Sequence, residues 1–379
     1  MNPPRPIHIV QVSGSAQWAG GEVHLIQLMD TLRRRGFVFH VVCPEPGPFI
    51  QRLIDKGIDC EMIPISPLGH PGPIRKLADR IRRWNASLVQ SHGARSNFYT
   101  RLAARLAGVP CLSTVHNALQ DYPISAWKRG LYMLMDRATA ALSTRTVCVA
   151  RSLQEELLER IPSLAPTTTV IYNGVDTERF NPDHFQRNPI RESLKLENKW
   201  TIGLVGRITL QKGHIYLLEA LRTYGRYLPS FKLLIVGDGP LRSLLEYKVA
   251  YLGLRQNCRF LGVRQDIPEI LSALDLVVLP SLSEGFPYAA LESMAMRKPV
   301  IATAVNGVPE MIRPEVDGIL VPPRNVERLG AALMDLGRHP EKARALAESG
   351  YERVRADFSL STMIDQWEKL YREVCAKRP

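Results

Sequence analysis

Apolar positions along the 379-residue chain fall into two alternating rhythms. Short runs rich in Val, Ile and Leu are followed by stretches of about a dozen residues in which apolar positions return every three or four, the pattern of βα units that build parallel sheets. The first half of the chain predicts strands at IHIVQV, FVFHVVCP, CEMIPI, SLVQSHG, CLSTVHN, RTVCVA and TVIYNG. Between them, GEVHLIQLMDTLRRRG, PIRKLADRIRRW, SNFYTRLAARLAG and RSLQEELLERI read as amphipathic helices, the last opening with Ser152 and Glu155 at the spacing of a capping box.

From Asn173 to Asn198 the rhythm breaks, with two prolines and little apolar content, as a linker reads. It restarts with TIGLVGRI, KLLIVGDG, CRFLGV, LDLVVLPS, PVIATAV and GILVPP, separated by helical patterns such as GHIYLLEALRTYGRYL and VERLGAALMDLGRH. The expected fold class is α/β. A Rossmann-like, doubly wound domain is expected over 1–177, a linker over 178–198, a second such domain over 199–355 and a helical tail over 356–379. Ligands of such sheets bind beyond the carboxyl ends of the strands, so the site is expected in a cleft between the two domains.

Composition narrows the classes. Hydrophobic residues make up 45%, charged residues 23% and aromatic residues 7%, which excludes a disordered or fibrous chain. Against 37 acidic residues stand 49 basic ones, a net charge of +12. The excess concentrates in residues 75–151, where 13 Lys or Arg face only Asp79, Asp121 and Asp136, giving +10. An anionic partner follows, whether phosphate, acidic lipid or nucleic acid, and no recognised nucleic-acid module is present. Six cysteines without a CxxC pair read as reduced core residues. No run approaches the roughly 18 apolar residues of a membrane span, and the chain opens on a strand rather than a signal segment, so a cytoplasmic location is expected.

The most informative segment runs from Ser281 to Ala295, joining the strand LDLVVLP to a helix. Glu284 falls in the turn and Glu292 on the helix among Ala289, Ala290, Leu291 and Met294, so two carboxylates approach one ligand and suit a polyhydroxylated molecule. The first amides of that helix, at Phe286, Pro287, Tyr288 and Ala289, frame an anion site, with Pro287 itself carrying no N–H. From spacing alone Glu284 also fits a solvated loop acid and Glu292 a salt-bridge partner. Arg207 closes a strand and Lys212 follows at the mouth of the next helix; the two cations can hold a diphosphate, or be ordinary surface residues. The glycine-rich turn GSAQWAGGE, with Gly20 and Gly21 before a helix, admits close approach of a phosphate but matches neither GxGxxG nor GxxxxGK[ST]. Gly239, in GDGP, is similar. His92 and His116 end two strands, where each can bind a ligand hydroxyl or be held by local hydrogen bonds. Trp127, Lys128 and Arg129 fit either a membrane-facing surface or a core-facing helix with a basic outer side. Neither HExxH nor DxD occurs, so no metal site is expected.

Taken in order, the first glycine loop, NGVD at 173–176, GR and QKG around Arg207 and Lys212, VGDGPLR and the Glu284-x7-Glu292 spacing resemble the family 4 retaining glycosyltransferases of the GT-B fold, over essentially the whole chain. The resemblance implies that the second domain holds a nucleotide-diphosphate sugar, most often a UDP-sugar. It gives Glu292 the ribose hydroxyls, Glu284 the transferred sugar, and Arg207 and Lys212 the diphosphate, assisted by backbone at Gly20, Gly21, Gly239, Phe286, Pro287, Tyr288 and Ala289. His116 matches the first-domain histidine beside the donor sugar, and the last helix, with Trp367 and Tyr371, is implied to cross back to the first domain. Pro287 stands where some members carry glycine. The implied reaction is retaining transfer of a hexosyl or N-acetylhexosaminyl group, without metal or other cofactor, to a lipid-linked or envelope glycan. His92, Arg95, Trp127, Lys128 and Arg129 are expected on the acceptor side, in peripheral contact with the anionic cytoplasmic face of the membrane. No nucleic-acid partner is expected, and nothing indicates an oligomeric state. A sugar-nucleotide epimerase and a non-catalytic sugar-nucleotide-binding protein stay open at this point.

Overall fold

The computed structural model describes residues 6–17, 20–65, 70–121, 124–196 and 198–376. The chain forms two compact units, Met1–Asn173 with Met363–Pro379, and Gly174–Thr362. In the first, β1 (Ile7–Val12), β2 (Phe37–Cys43), β3 (Asp59–Met62), β4 (Leu88–His92), β5 (Cys111–Val115), β6 (Arg145–Cys148) and β7 (Thr168–Val170) form one sheet in the order β3-β2-β1-β4-β5-β6-β7. In the second, β8 (Trp200–Val205), β9 (Phe231–Val236), β10 (Cys258–Gly262), β11 (Leu276–Leu279), β12 (Val300–Thr303) and β13 (Ile319–Val321) are ordered β10-β9-β8-β11-β12-β13. All pairings between these strands are parallel. The thirteen strands fall where the apolar rhythm predicts them. The strand order reverses direction at β1/β4 and again at β8/β11, the positions where open parallel sheets leave a crevice.

The central strands are buried on both faces, as parallel sheets covered by helices require. β11 meets this with apolar residues alone. The first sheet does not: Gln11, Gln90, Ser91, Ser113, Thr114 and Thr146 are all fully buried in its strands. Buried polar groups need partners, so this sheet carries a hydrogen-bond system inside its core. Arg101, on helix Ala94–Ala107 and 1% exposed, belongs to it. Its Nε donates to Ser113 Oγ at 3.0 Å and Ser143 Oγ at 2.9 Å, and a terminal nitrogen meets Asp136 Oδ1 at 2.7 Å.

Three expectations change. The segment 178–198 is not a free linker but part of the second unit: Phe180, Leu194 and Leu196 are buried, and Arg191 donates to the carbonyls of Ala273 (2.8 Å) and Lys199 (2.7 Å). Its few apolar residues are anchors, which a count of apolar content understates. The tail is two helices, Pro340–Asp357 and Leu360–Ala376, and the return to the first unit begins at Met363 rather than 356. The Ser152 capping box does not form, because helix Arg151–Arg160 starts two residues earlier than that box requires, with Ala150 at its N-cap.

Helix Leu360–Ala376 completes the first core. Trp367 and Tyr371 are 0% exposed, and Arg35 pairs with Asp365 at 2.5 Å and Glu368 at 2.7 Å on the outer side. All six cysteines are free, with Cys43, Cys111 and Cys148 buried.

Asp136 is the anionic partner of Arg101, and Arg160 approaches it at 3.5 Å. Removing it leaves a buried guanidinium uncompensated. Asp136→Ala is expected to destabilise the first unit by about 3–5 kcal/mol, read as a lower urea midpoint.

Candidate active site

In the second unit the loop after β8 and the loop after β11 lie side by side because these strands are hydrogen-bonded neighbours. The Leu282 N–H donates to the Gln211 carbonyl at 2.7 Å, and the Gln211 side-chain amide donates to the Ser283 carbonyl at 3.0 Å, clipping the loops together. Between Lys212 and helix His214–Tyr224 the backbone turns at Gly213, φ +63°, where a Cβ would lie 1.9 Å from the Pro280 carbonyl oxygen. Only glycine fits there, and the close approach brings Lys212 onto the neighbouring loop. Lys212 Nζ donates to Glu284 Oε1 at 2.6 Å, and Ser281 Oγ donates to the same oxygen at 2.6 Å. The Glu284 N–H donates to Asn306 Oδ1 at 3.2 Å. Glu284 is buried, with its side chain 8% exposed, so a carboxylate is tolerated there because a cation and a hydroxyl satisfy it.

Arg207 is exposed, and among the described residues it forms no ion pair. Gly239 packs against the same turn: a Cβ would lie 2.4 Å from the Ile208 carbonyl oxygen, so its glycine is required for loop-on-loop contact, whatever else it touches. Phe286 is buried edge-on against Phe358, with centroids 5.1 Å apart, and fixes the approach to helix Tyr288–Ala295, whose N-cap is Pro287. Tyr288 is buried at the first helical position and Ala289 is partly exposed beside it. Glu292 is partly exposed yet deeply surrounded by protein. Burial pushes its carboxyl up to about 7, against the opposing charge of Arg179, so near neutral pH it both donates and accepts hydrogen bonds.

In the first unit His116 and His92 do come together: His92 Nδ1 and His116 Nε2 are 2.9 Å apart. His92 Nε2 lies 2.9 Å from Gln11 Oε1, so both of its nitrogens are engaged inside the protein and the residue is 5% exposed. That differs from the expectation that His92 meets the acceptor; it supports His116 instead. A third histidine, His24 on helix Gly20–Arg33, stacks edge-on to His116 at 5.5 Å and to Trp367 at 5.7 Å. Burial lowers the pKa of His24 to about 3 and of His116 to about 4, and takes His92 well below its ordinary value, so all three are neutral. Gly20 opens the helix, and Gly21 has open space where a Cβ would sit. Trp18 and Ala19 of the glycine turn lie outside the described residues.

Arg95 is partly exposed in the first turn of helix Ala94–Ala107. On helix Ala126–Thr139 the structure turns Trp127 (65% exposed) and Leu134 (64% exposed) outward, with Lys128 Nζ 5.5 Å from the Trp127 ring centroid. Arg129 is half-buried. The helix buries Asp136 and Thr139 toward Arg101, and its outer side carries Trp127 and Leu134 together with exposed Lys128 and Arg137. Among the described residues no three His, Cys, Asp or Glu side chains gather as a metal group, and no helix is long and apolar enough to cross a membrane.

Residues 18–179 match the family model Glycosyltransferase Family 4, and residues 186–353 match Glycosyl transferases group 1. The chain is 31% identical over 312 residues to an alpha-D-kanosaminyltransferase of Streptomyces kanamyceticus, covering 78% of this chain and 79% of that one. It is a family 4 glycosyltransferase. The glycosyltransferase is also 27% identical over 364 residues, 93% of each chain, to the UDP-Gal:alpha-D-GlcNAc-diphosphoundecaprenol alpha-1,3-galactosyltransferase of Escherichia coli. Its fold is GT-B, as in the Anabaena HepE structure in complex with UDP-glucose, which it matches with a TM-score of 0.86 and 23% identity over 97% of this chain and 100% of that one.

Sequence reasoning missed Gln11, Gln90, His24, Ser281 and Asn306. A signal existed for three: a glutamine in the middle of an apolar strand in IHIVQV and in LVQSH, and a histidine on the apolar stripe of Leu25, Leu28 and Met29.

The buried histidines set a pH dependence. A histidine whose folded pKa lies below its unfolded 6.5 contributes fully above 6.5 and loses stability as pH falls toward the folded value. Between pH 7 and pH 5, His24 and His116 of the glycosyltransferase each subtract about 2 kcal/mol from the first unit. In the second unit His214, lowered to about 4, acts the same way, and Glu292, raised to about 7, acts with opposite sign and about equal size. Calorimetry at the two pH values is expected to show the first unit melting earlier at pH 5 by more than the second, with a His24→Leu variant losing less.

Proposed function

We propose that the protein is a retaining glycosyltransferase that needs no metal and moves a sugar from a UDP-sugar to a lipid-linked or envelope glycan. The observation that carries this reading is the Glu284 carboxylate held by Lys212 and Ser281, with Arg207 exposed on the same loop as Lys212. As the bond between the sugar and the diphosphate breaks, negative charge grows on the leaving phosphate, and two fixed cations stabilise it there. Lys212 is shared between Glu284 and that phosphate, which orients the carboxylate toward the sugar. Glu292, poised near neutrality, takes the ribose hydroxyls. His116 supplies a neutral imidazole to the sugar undergoing transfer. For retention, the acceptor hydroxyl attacks from the face that the diphosphate leaves, and the leaving phosphate oxygen takes the acceptor proton, so no enzyme nucleophile is consumed.

The named donor and lipid-diphosphate acceptor of the Escherichia coli relative support UDP and a lipid-linked acceptor for this chain. So does helix Ala126–Thr139: its outward Trp127 and Leu134 beside Lys128 and Arg137 match an interfacial helix, within a segment of net charge +10. We place the protein at the anionic cytoplasmic face of a membrane, in peripheral contact.

Nucleotide release from UDP-, GDP- and ADP-sugars, measured with excess EDTA and with or without a membrane-lipid extract, is expected for UDP-sugars, undiminished by EDTA and raised by extract. Glu284→Ala is expected to lose about 100-fold or more in turnover while still binding UDP. Sugar interconversion without nucleotide release would establish an epimerase, and UDP-sugar binding without turnover a non-catalytic binder. In flotation with vesicles containing anionic lipid, neutralising Lys128 and Arg137 is expected to weaken binding by about tenfold or more, and binding indifferent to lipid charge would sink the membrane assignment.

A further inference from the structure

A polar chain crosses the interior of the first sheet and ends on His116. The side-chain nitrogen of Gln11, on β1, donates to Gln90 Oε1 at 3.2 Å and to the Tyr371 hydroxyl oxygen at 3.1 Å. The Tyr371 hydroxyl donates in turn to Gln90 Oε1, and Gln90 Nε2 donates to Thr114 Oγ1 at 2.8 Å. Gln11, Gln90 and Tyr371 are all 0% exposed, so water does not compete for these bonds. With its nitrogen turned toward Gln90 and Tyr371, Gln11 presents its carbonyl oxygen to His92 Nε2, 2.9 Å away. A carbonyl oxygen accepts, so His92 carries a proton on Nε2. His92 is neutral, because burial and the neighbouring His116 and His24 disfavour its charged form. Its Nδ1 therefore holds a lone pair, and His116 Nε2, 2.9 Å from it, is the donor. The single ring proton of neutral His116 is then fixed on Nε2. Its Nδ1 presents a lone pair, and no hydrogen bond among the described residues reaches it.

We propose that Tyr371, Gln11 and His92 are positioning residues that set the tautomer of His116, so that His116 Nδ1 meets a hydroxyl of the transferred sugar as a hydrogen-bond acceptor. The use of this tautomer rests on the reading of His116 given above; the tautomer itself does not. The chain joins the last helix of the protein to the residue that touches substrate. A side chain that only filled space at position 371 would leave the Gln11 amide held by Gln90 alone, and with both amides turned every proton along the chain reverses. His92 would then protonate on Nδ1 and His116 would offer an N–H in place of a lone pair.

The test is long-range nitrogen–proton NMR on the full-length protein labelled at histidine, with the His116 signals assigned by their loss in His116→Gln. The parent protein at neutral pH is expected to show His116 as the Nε2–H tautomer. Gln11→Met and Tyr371→Phe are each expected to give mixed tautomers at His116, and to lower kcat about tenfold with KM for the UDP-sugar changed by less than about twofold. A parent protein with the His116 proton on Nδ1, or folded variants that both keep the parent tautomer, would overturn the proposal. Failure of the underlying reading shows separately, as full turnover by His116→Ala, while the parent spectrum tests the tautomer alone.

Discussion

Parallel pairing is the constraint from which the polar cluster of each unit follows. In a parallel sheet every strand leaves at the same edge, so residues distant in the chain are delivered together without any long loop to carry them. Lys212 and Glu284 are 72 residues apart and meet at 2.6 Å because β8 and β11 are adjacent. His92 and His116, 24 residues apart, meet at 2.9 Å because β4 and β5 are adjacent. The helices that cover the sheets make the strands dry on both faces, and the same dryness gives these polar contacts their strength.

The two units solve the problem of buried polar chemistry in opposite ways. The second neutralises a buried carboxylate with a cation and a hydroxyl, leaving Arg207 in solvent. Around its histidines the first removes charge: burial keeps His24, His92 and His116 uncharged, and an amide connects His92 to a phenol.

Much of this was legible beforehand. Strand positions follow from apolar period because burial dictates them residue by residue, and the motifs around Arg207, Lys212, Glu284 and Glu292 are local enough to read. What was not legible is relational. Nothing in the sequence says that Lys212 bonds Glu284, since adjacency of β8 and β11 is a property of the sheet order. His92 was open to a ligand role because, like His116, it ends a strand; that both its nitrogens are taken depends on His116 and on Gln11, eighty-one residues away. Residues 178–198 read as a linker because hydrogen bonds from Arg191 leave no trace in hydropathy.

The first unit is discontinuous, and its closing piece follows the whole of the second unit in the chain. Trp367 packs on His24, and Tyr371 meets Phe37 and Gln11, so the first core lacks part of its filling without them. The second unit, Gly174–Thr362, is continuous and precedes that piece. Because synthesis runs from the amino end, the second unit has all of its residues before the first does, the reverse of the usual order for successive domains. A chain cut before Met363 would keep every residue of the second unit and lose the buried Trp367 and Tyr371 from the first.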